Sequence, residues 1–183
     1  MIHICGIDAM PAHAAALRPS HLVSLVEAEA QPPTPRVAAV RHLRVEIHDI
    51  SEPVDDYVVP AEHHVRSLIE FVGGWSGRQP LLVHCIAGIS RSTAAALVTL
   101  AMQSDETEEE AARRLRAAAP HAQPNRRIIA LADALLGRGG RLVRAREAMG
   151  PAIPVLCGPL VSLPVRRRSP VAGSPLAAAT VPA

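Results

Sequence analysis

The chain has 183 residues, of which 49% are hydrophobic and only 2% aromatic (one Trp, one Tyr, one Phe). That is enough to bury the core of one domain with an appendage, and too few rings for a platform that stacks single-stranded nucleic acid. All 19 basic residues are Arg, and three of them (Arg166, Arg167, Arg168) lie near the C-terminus, leaving 16 against the 17 acids that precede them. A nearly neutral domain has no basic footprint for DNA or RNA. Three cysteines, Cys5, Cys85 and Cys157, are odd in number and far apart, so no disulfide framework is expected. The start lacks a basic leader region, and no apolar run reaches the roughly 18 residues of a membrane span. The expectation is a soluble protein of a reducing, cytoplasmic compartment, with no membrane partner.

Ile2–Cys5 is predicted as a strand, and Pro11–Arg18 is Ala-rich with Pro placed to open a helix. His21–Val26 reads as a second strand, ahead of the turn-rich Gln31-Pro32-Pro33-Thr34-Pro35. In His42–Ile47, Leu43, Val45 and Ile47 alternate with Arg44 and Glu46, which is strand periodicity; an acidic loop from Asp49 to Pro60 follows. Val65, Leu68, Ile69 and Val72 give Ala61–Trp75 one apolar helical face, ended by Gly73, Gly74 and Gly77. Leu81–His84 is apolar up to its final His, as in a strand buried on both sides. Ser92–Gln103 is a second helix. Thr107-Glu108-Glu109-Glu110 forms a capping box for a third, and Asn125 caps a fourth that runs to Leu136. Strands followed by helices, then helices alone, describe an α/β fold with a central, mostly parallel sheet flanked by helices and a helical C-terminal half. There is no internal repeat. Residues 151–183 contain seven Pro, three consecutive Arg and no acid, so the chain divides into a domain, 1–149, and a Pro/Ala/Arg tail, 150–183, expected to be mostly unstructured.

One segment carries chemistry: Leu81-Leu82-Val83-His84-Cys85-Ile86-Ala87-Gly88-Ile89-Ser90-Arg91-Ser92. A buried strand, a short loop and a helix set the loop at a strand's carboxyl end and a helix's amino end, where unpaired N–H groups favour an anion. Successive amides in such a loop can turn inward as a nest, and Gly88 supplies the backbone freedom for the curl. Arg91, six residues after Cys85, can offer its planar fork to two phosphate oxygens. A cysteine at the bottom of that electropositive cup is poised as a thiolate, placed for in-line attack on phosphorus to give a phosphocysteine. Ser92 can donate a hydrogen bond to the sulfur as it leaves.

His-Cys-x5-Arg-Ser is the signature of cysteine-dependent protein tyrosine phosphatases, and Cys-x-Ala-Gly-x-Ser-Arg-Ser resembles the dual-specificity branch. A Cys followed by Arg at this spacing is weak alone; the preceding His, Gly88, the following Ser and the strand–loop–helix context make it specific. The resemblance implies a phosphatase-like domain over roughly residues 1–149, with Cys85 as nucleophile. Arg91 and the amides of Ile86, Ala87, Gly88, Ile89, Ser90 and Arg91 are implied as phosphate cradle, His84 as support for the thiolate behind it, and Ser92 as the aid to thiolate departure. No metal and no cofactor is implied. The family also needs a general acid, an Asp on a loop after an earlier strand. Asp49, 36 residues before Cys85, closes the strand His42–Ile47 and is preferred because parallel strand ends converge on one site; Asp55 and Asp56, 30 and 29 residues before it, stay open.

The expected function is that of a phosphomonoester hydrolase, a protein tyrosine or dual-specificity phosphatase acting through phosphocysteine. Its substrate would be a phosphorylated protein or a small phosphomonoester. The alternatives are a phosphoinositide or other small-molecule phosphatase on the same scaffold, and a catalytically silent phosphate-binding module. Phosphoinositide phosphatases usually carry Lys in the loop, whereas Ile86, Ala87 and Ile89 are apolar, so a singly phosphorylated, less charged substrate is expected. Elsewhere, His63 and His64 should project in different helix directions, unable to share a metal. His48 reads as a loop residue ahead of a substrate contact. Arg166–Arg168 reads as a solvated run, and Cys5 as core ahead of a resolving thiol.

Overall fold

The structure is a computed structural model, and it describes residues 1–37 and 40–166. Its sheet is assembled from β1 (Ile2–Gly6), β2 (His21–Val26), β3 (Arg41–Glu46), β4 (Leu81–Cys85) and β5 (Val161–Leu163) in the order β3-β2-β4-β1-β5. The first four are mutually parallel, and β5 runs antiparallel to β1 along its outer edge. Every residue of β1, β2 and β4 is buried, which is why these strands are mostly apolar rather than alternating. Ile2, Ile4, Val23, Leu25, Leu81 and Val83 face the larger core, while Cys5, Leu22 and Leu82 face a smaller one. The edge strand β3 is mostly solvent-facing and keeps the alternation expected of it.

Helix α1 (Met10–Leu17) closes the smaller core with Met10 and Ala14. The larger core is closed by α2 (Glu62–Gly73), α3 (Arg91–Gln103), α4 (Glu108–Ala118), α5 (Arg126–Leu135) and α6 (Arg141–Ala148). In α3 every residue from Arg91 to Ala101 is buried. A helix enclosed on all sides between a sheet and other helices needs small side chains, and Ala94-Ala95-Ala96 supplies them. The expected caps form: Glu110 N donates to Thr107 Oγ1 while Thr107 N donates to Glu110 Oε2, and Asn125 Oδ1 accepts from the amides of Arg127 and Ile128.

Two elements were not expected. Helix α6 has its N-terminal amides capped from another helix: Asp133 of α5 accepts from Gly140 N at 2.6 Å and from Leu142 N at 2.8 Å. Such a tertiary cap leaves no local signature. Strand β5 lies within the stretch assigned to an unstructured tail, and that expectation is corrected for residues 150–166. Val161 and Leu163 bury against the core, His3 Nδ1 pairs with Ser162 Oγ at 2.8 Å, and Arg114 Nη1 donates to Pro164 O. Arg166 is exposed, as expected of a solvated run, and also ion-pairs with Glu106 at 3.4 Å. The rest of the tail, residues 167–183 with Arg167 and Arg168, lies outside the described residues. Among the described residues no helix is long and apolar enough to cross a membrane.

Truncation after residue 158 removes β5 and exposes the core beneath Val161 and Leu163. Burying two such side chains is worth on the order of 3 kcal/mol, so the truncated chain should be destabilised by about that amount in urea unfolding, and Val161→Asp should reproduce much of the loss.

Candidate active site

The site forms where the parallel strands end. Cys85, the last residue of β4, is in register with Gly6 of β1; the loop 86–90 then turns directly into α3. Ile7 N donates to Ile86 O at 3.0 Å, continuing the strand pairing into the loop. Gly88 has φ of +74°, and a Cβ there would sit 2.7 Å from Cys5 C and 2.8 Å from Gly6 N. Glycine is required twice, by the left-handed backbone and by main chain pressed against main chain. The loop carbonyls are held from outside. Ala87 O accepts from Gly158 N at 2.8 Å, Ile89 O from Gln123 N at 2.9 Å and Ser90 O from Ala94 N at 2.9 Å; Thr93 Oγ1 also donates to Ile89 O and Ser90 O. Among the described residues no loop or turn bond of this kind takes up the N–H groups of residues 86–90, leaving a row of donors at the start of α3.

Cys85 is buried, with its Sγ 3.1 Å from Ser92 Oγ. Arg91 is only 2% exposed. Its Nη1 donates to Ile47 O at 2.6 Å, the residue after β3, and lies 3.4 Å from Glu27 Oε2, the residue after β2; its Nε is 3.8 Å from Asp49 Oδ2. A buried guanidinium needs compensating charge, and these two carboxylates provide it. Asp49 Oδ1 accepts from Ser90 Oγ at 2.7 Å and from Asn125 Nδ2 at 3.0 Å, so its carboxylate sits on the rim of the loop. Asp55 and Asp56 are exposed and take no part in lining the cleft that Asp49 lines. That cleft, of about 360 Å³, has Ala87, Ile89 and Ser90 as its floor and Asp49, Ser51 and Asn125 among its walls.

His84 points to the opposite face of the sheet from the main core. Its Nε2 lies 2.6 Å from Ser24 Oγ, which is 2.7 Å from His42 Nε2, whose Nδ1 is 2.9 Å from Thr34 Oγ1. This chain runs from the residue beside Cys85 to the surface. Burial lowers the His84 pKa to about 4, opposed by the Cys85 main chain and reinforced by Arg91. Burial, then Arg44 and His84, lower His42 to about 4. Both rings are neutral near pH 7. Burial, then the adjacent Cys85, push Cys5 up to about 12, holding it as a thiol.

His48 shapes the acid loop: its Nδ1 accepts from Val58 N at 3.0 Å and its ring packs on Tyr57. His63 and His64 do not project apart; their rings meet at a 45° tilt with centroids 3.8 Å apart, and His64 Nδ1 accepts from Ala61 N to cap α2. Three contributors escaped the sequence. Glu27 closes β2 as Asp49 closes β3, and an acid at a strand end was the available signal. Asn125 read only as a helix cap, yet it also donates to Asp49. Arg127 joins α5 to the acid loop through Pro60 O at 2.6 Å and Ser51 O at 3.4 Å, which nothing local announces.

Residues 39–124 match the family described as Protein-tyrosine phosphatase. Dual specificity protein phosphatase 15 of Rattus norvegicus is 30% identical over 112 residues, covering 58% of this chain; the chain spans 41% of that protein's length. The crystal structure of DUSP15 superposes with a TM-score of 0.56 at 20% identity, covering 81% of this chain and 89% of the other. That of human DUSP28 superposes with a TM-score of 0.57 at 18% identity, covering 81% and 92%. Residues 39–124 thus resemble the protein tyrosine phosphatase family, and the fold is the one seen in dual-specificity phosphatase structures.

Two tests follow from this geometry. Gly88→Ala should force the loop off β1, destabilising the protein and abolishing binding of phosphate analogues; unchanged thermal unfolding and oxyanion affinity would count against the close approach. Because the unfolded chain protonates its histidines below about pH 6.5 while folded His84 and His42 stay neutral to about 4, stability should fall as pH drops through that window. Melting curves across it should steepen that trend in the wild type relative to His84→Gln.

Proposed function

We propose that the protein is a cysteine-dependent phosphomonoester hydrolase, a protein tyrosine or dual-specificity phosphatase acting on a phosphorylated protein or small phosphomonoester. One observation carries this reading: Cys85 Sγ lies within hydrogen-bond reach of Ser92 Oγ, at 3.1 Å, beneath a loop whose carbonyls are bonded outward. The free thiols Cys5, Cys85 and Cys157 suit a reducing compartment such as the cytoplasm.

A bound phosphate takes over the share of Arg91's charge that Asp49 balances in the free site, leaving Asp49 to carry a proton. In the first step Cys85 Sγ attacks phosphorus in line, the phosphorus–oxygen ester bond breaks, and Asp49 gives that proton to the departing oxygen. The loop amides and the Arg91 fork hold the equatorial oxygens, where charge is stabilised without reorganisation. In the second step Asp49 takes a proton from water as it attacks the phosphocysteine, inorganic phosphate forms, and Ser92 Oγ–H bonds to the sulfur as it leaves. His84 acts behind the nucleophile as a neutral ring fixed by Ser24. The Glu27 carboxylate and Ile47 O position Arg91 ahead of substrate.

Cys85→Ser should abolish hydrolysis of a small aryl phosphate while oxyanion binding survives, vanadate should inhibit the wild type, and a chelator should leave the rate unchanged. Retained turnover in Cys85→Ser overturns the mechanism. Absence of turnover in the wild type points to a silent phosphate-binding module. Arg91→Lys should be severely impaired because a point charge cannot reproduce the bidentate fork. Asp49→Asn should lose about 10²–10⁴-fold on phosphotyrosine and much less on an ester with a good leaving group, whereas Asp55→Asn and Asp56→Asn should keep the wild-type dependence. If one of those two steepens it instead, the general acid moves along the loop.

A further inference from the structure

The variable residues of the loop are apolar, but its surroundings are not. The cleft over Ala87, Ile89 and Ser90 is also lined by Arg126, the first residue of α5, and by Arg146 in the last turn of α6. It adjoins a second hollow of about 310 Å³ that shares Gln123, Pro124 and Arg146 and reaches Arg116. The two make one trough leading away from the phosphate loop, with three guanidinium groups against the carboxylates of Asp49 and Glu147.

Of the other arginines on and between α4, α5 and α6, Arg113, Arg114, Arg138 and Arg141 each pair with a glutamate, while Arg127 and Arg144 bond only main-chain carbonyls and line neither hollow. Those of the trough make no ion pair among the described residues either. Arg146 Nε donates to Pro124 O at 3.0 Å, and Arg116 donates to the carbonyls of Met149, Gly150 and Pro120, so neutral partners fix both heads in place. Arg126 is exposed and makes no hydrogen bond or ion pair among the described residues. The cations feel each other: burial and then Arg126 lower the Arg146 pKa, against the pull of Glu147, and burial and then Arg146 lower that of Arg116. An arginine face that only kept the protein soluble would space its charges or pair them. Here three converge on a hollow that opens onto the proposed catalytic loop, where an arriving anion relieves their repulsion.

We propose that Arg126 and Arg146 form an anion-recognising subsite, and that the substrate is a peptide segment whose phosphorylated residue is flanked by a further anionic side chain, acidic or phosphorylated. This rests on the phosphatase reading of Cys85 and deepens it. A single phosphorylated side chain fills only the loop end of the trough; an extended chain advancing about 3.3 Å per residue follows the remainder. The apolar loop positions alone had pointed to a less charged substrate, because charges delivered by α5 and α6 are not visible in the loop.

The test compares phosphotyrosine peptides with neutral flanks, with glutamates within roughly four residues of the phosphotyrosine, and with a second phosphate there, alongside a small-molecule bisphosphate. The wild type should favour both anionic peptides over the neutral one in kcat/KM, mainly through KM, by about three- to tenfold, and the advantage should shrink as salt rises. In Arg126→Ala with Arg146→Ala the ratio should fall toward one, and Arg126→Glu should reverse it; a ratio within one variant is insensitive to general loss of folded protein. Fluorescence anisotropy of the same peptides on Cys85→Ser reads the preference without turnover. Equal use of neutral and anionic peptides, a preference that survives the double substitution, or discrimination confined to the bisphosphate overturns the proposal. Turnover without preference defeats the subsite alone, and preference in binding without any turnover defeats the catalytic reading alone.

Discussion

The contact between Gly88 and the main chain of β1 governs the architecture of the site. A Cβ at that position would lie 2.7 Å from Cys5 C, closer than nonbonded atoms tolerate. Because the loop can lean there, β4 and β1 stay in parallel register to the last residue, and α3 can begin within six residues of the end of the strand. Cys85 and Arg91 then face one another across a single tight curl. The outward carbonyl bonds to Gly158 N and Gln123 N follow from the same curl, since a loop that turns its amides inward must find partners for its oxygens elsewhere.

Burying Arg91 imposes the second condition. Its charge is balanced by carboxylates at 3.4 and 3.8 Å, from Glu27 and Asp49, each standing just beyond the end of a parallel strand. Convergence of strand ends is a general property of open α/β sheets, so the fold delivers the counter-charges and the phosphate loop to one place. Asp49 is further held by Ser90 and Asn125, which ties the acid loop to both the phosphate loop and α5.

What could be read from the sequence divides along the range of the interactions. Strands β1 to β4, the Thr107 capping box, the Asn125 cap and the His-Cys-x5-Arg-Ser segment are local patterns, and the structure has them where they were expected. The sheet is mostly parallel and the C-terminal half helical. Helix α6 was missed because its cap, Asp133, belongs to another helix, and β5 because three residues between prolines carry almost no periodicity. The same holds in the site. Cys85, Ser92 and Arg91 are neighbours in sequence, whereas the contact of Glu27 with Arg91 exists only once β2 lies in the sheet, and the contacts of Arg127 and the convergence of Arg126 with Arg146 only after α5 and α6 have folded back against the loop.

Strand β5 also changes how the molecule meets other molecules. Without it the outer edge of β1 would present unpaired N–H and C=O groups on a wholly buried, apolar strand, the kind of surface that templates strand addition by a second chain. The opposite border of the sheet, β3, is guarded differently, by Arg41, Arg44 and Glu46 on a largely solvent-facing strand. One border is capped by three residues from far along the chain and the other is protected by charge. A segment that reads as dispensable therefore keeps the sheet from growing, and its loss would turn a self-limited fold into a sticky one.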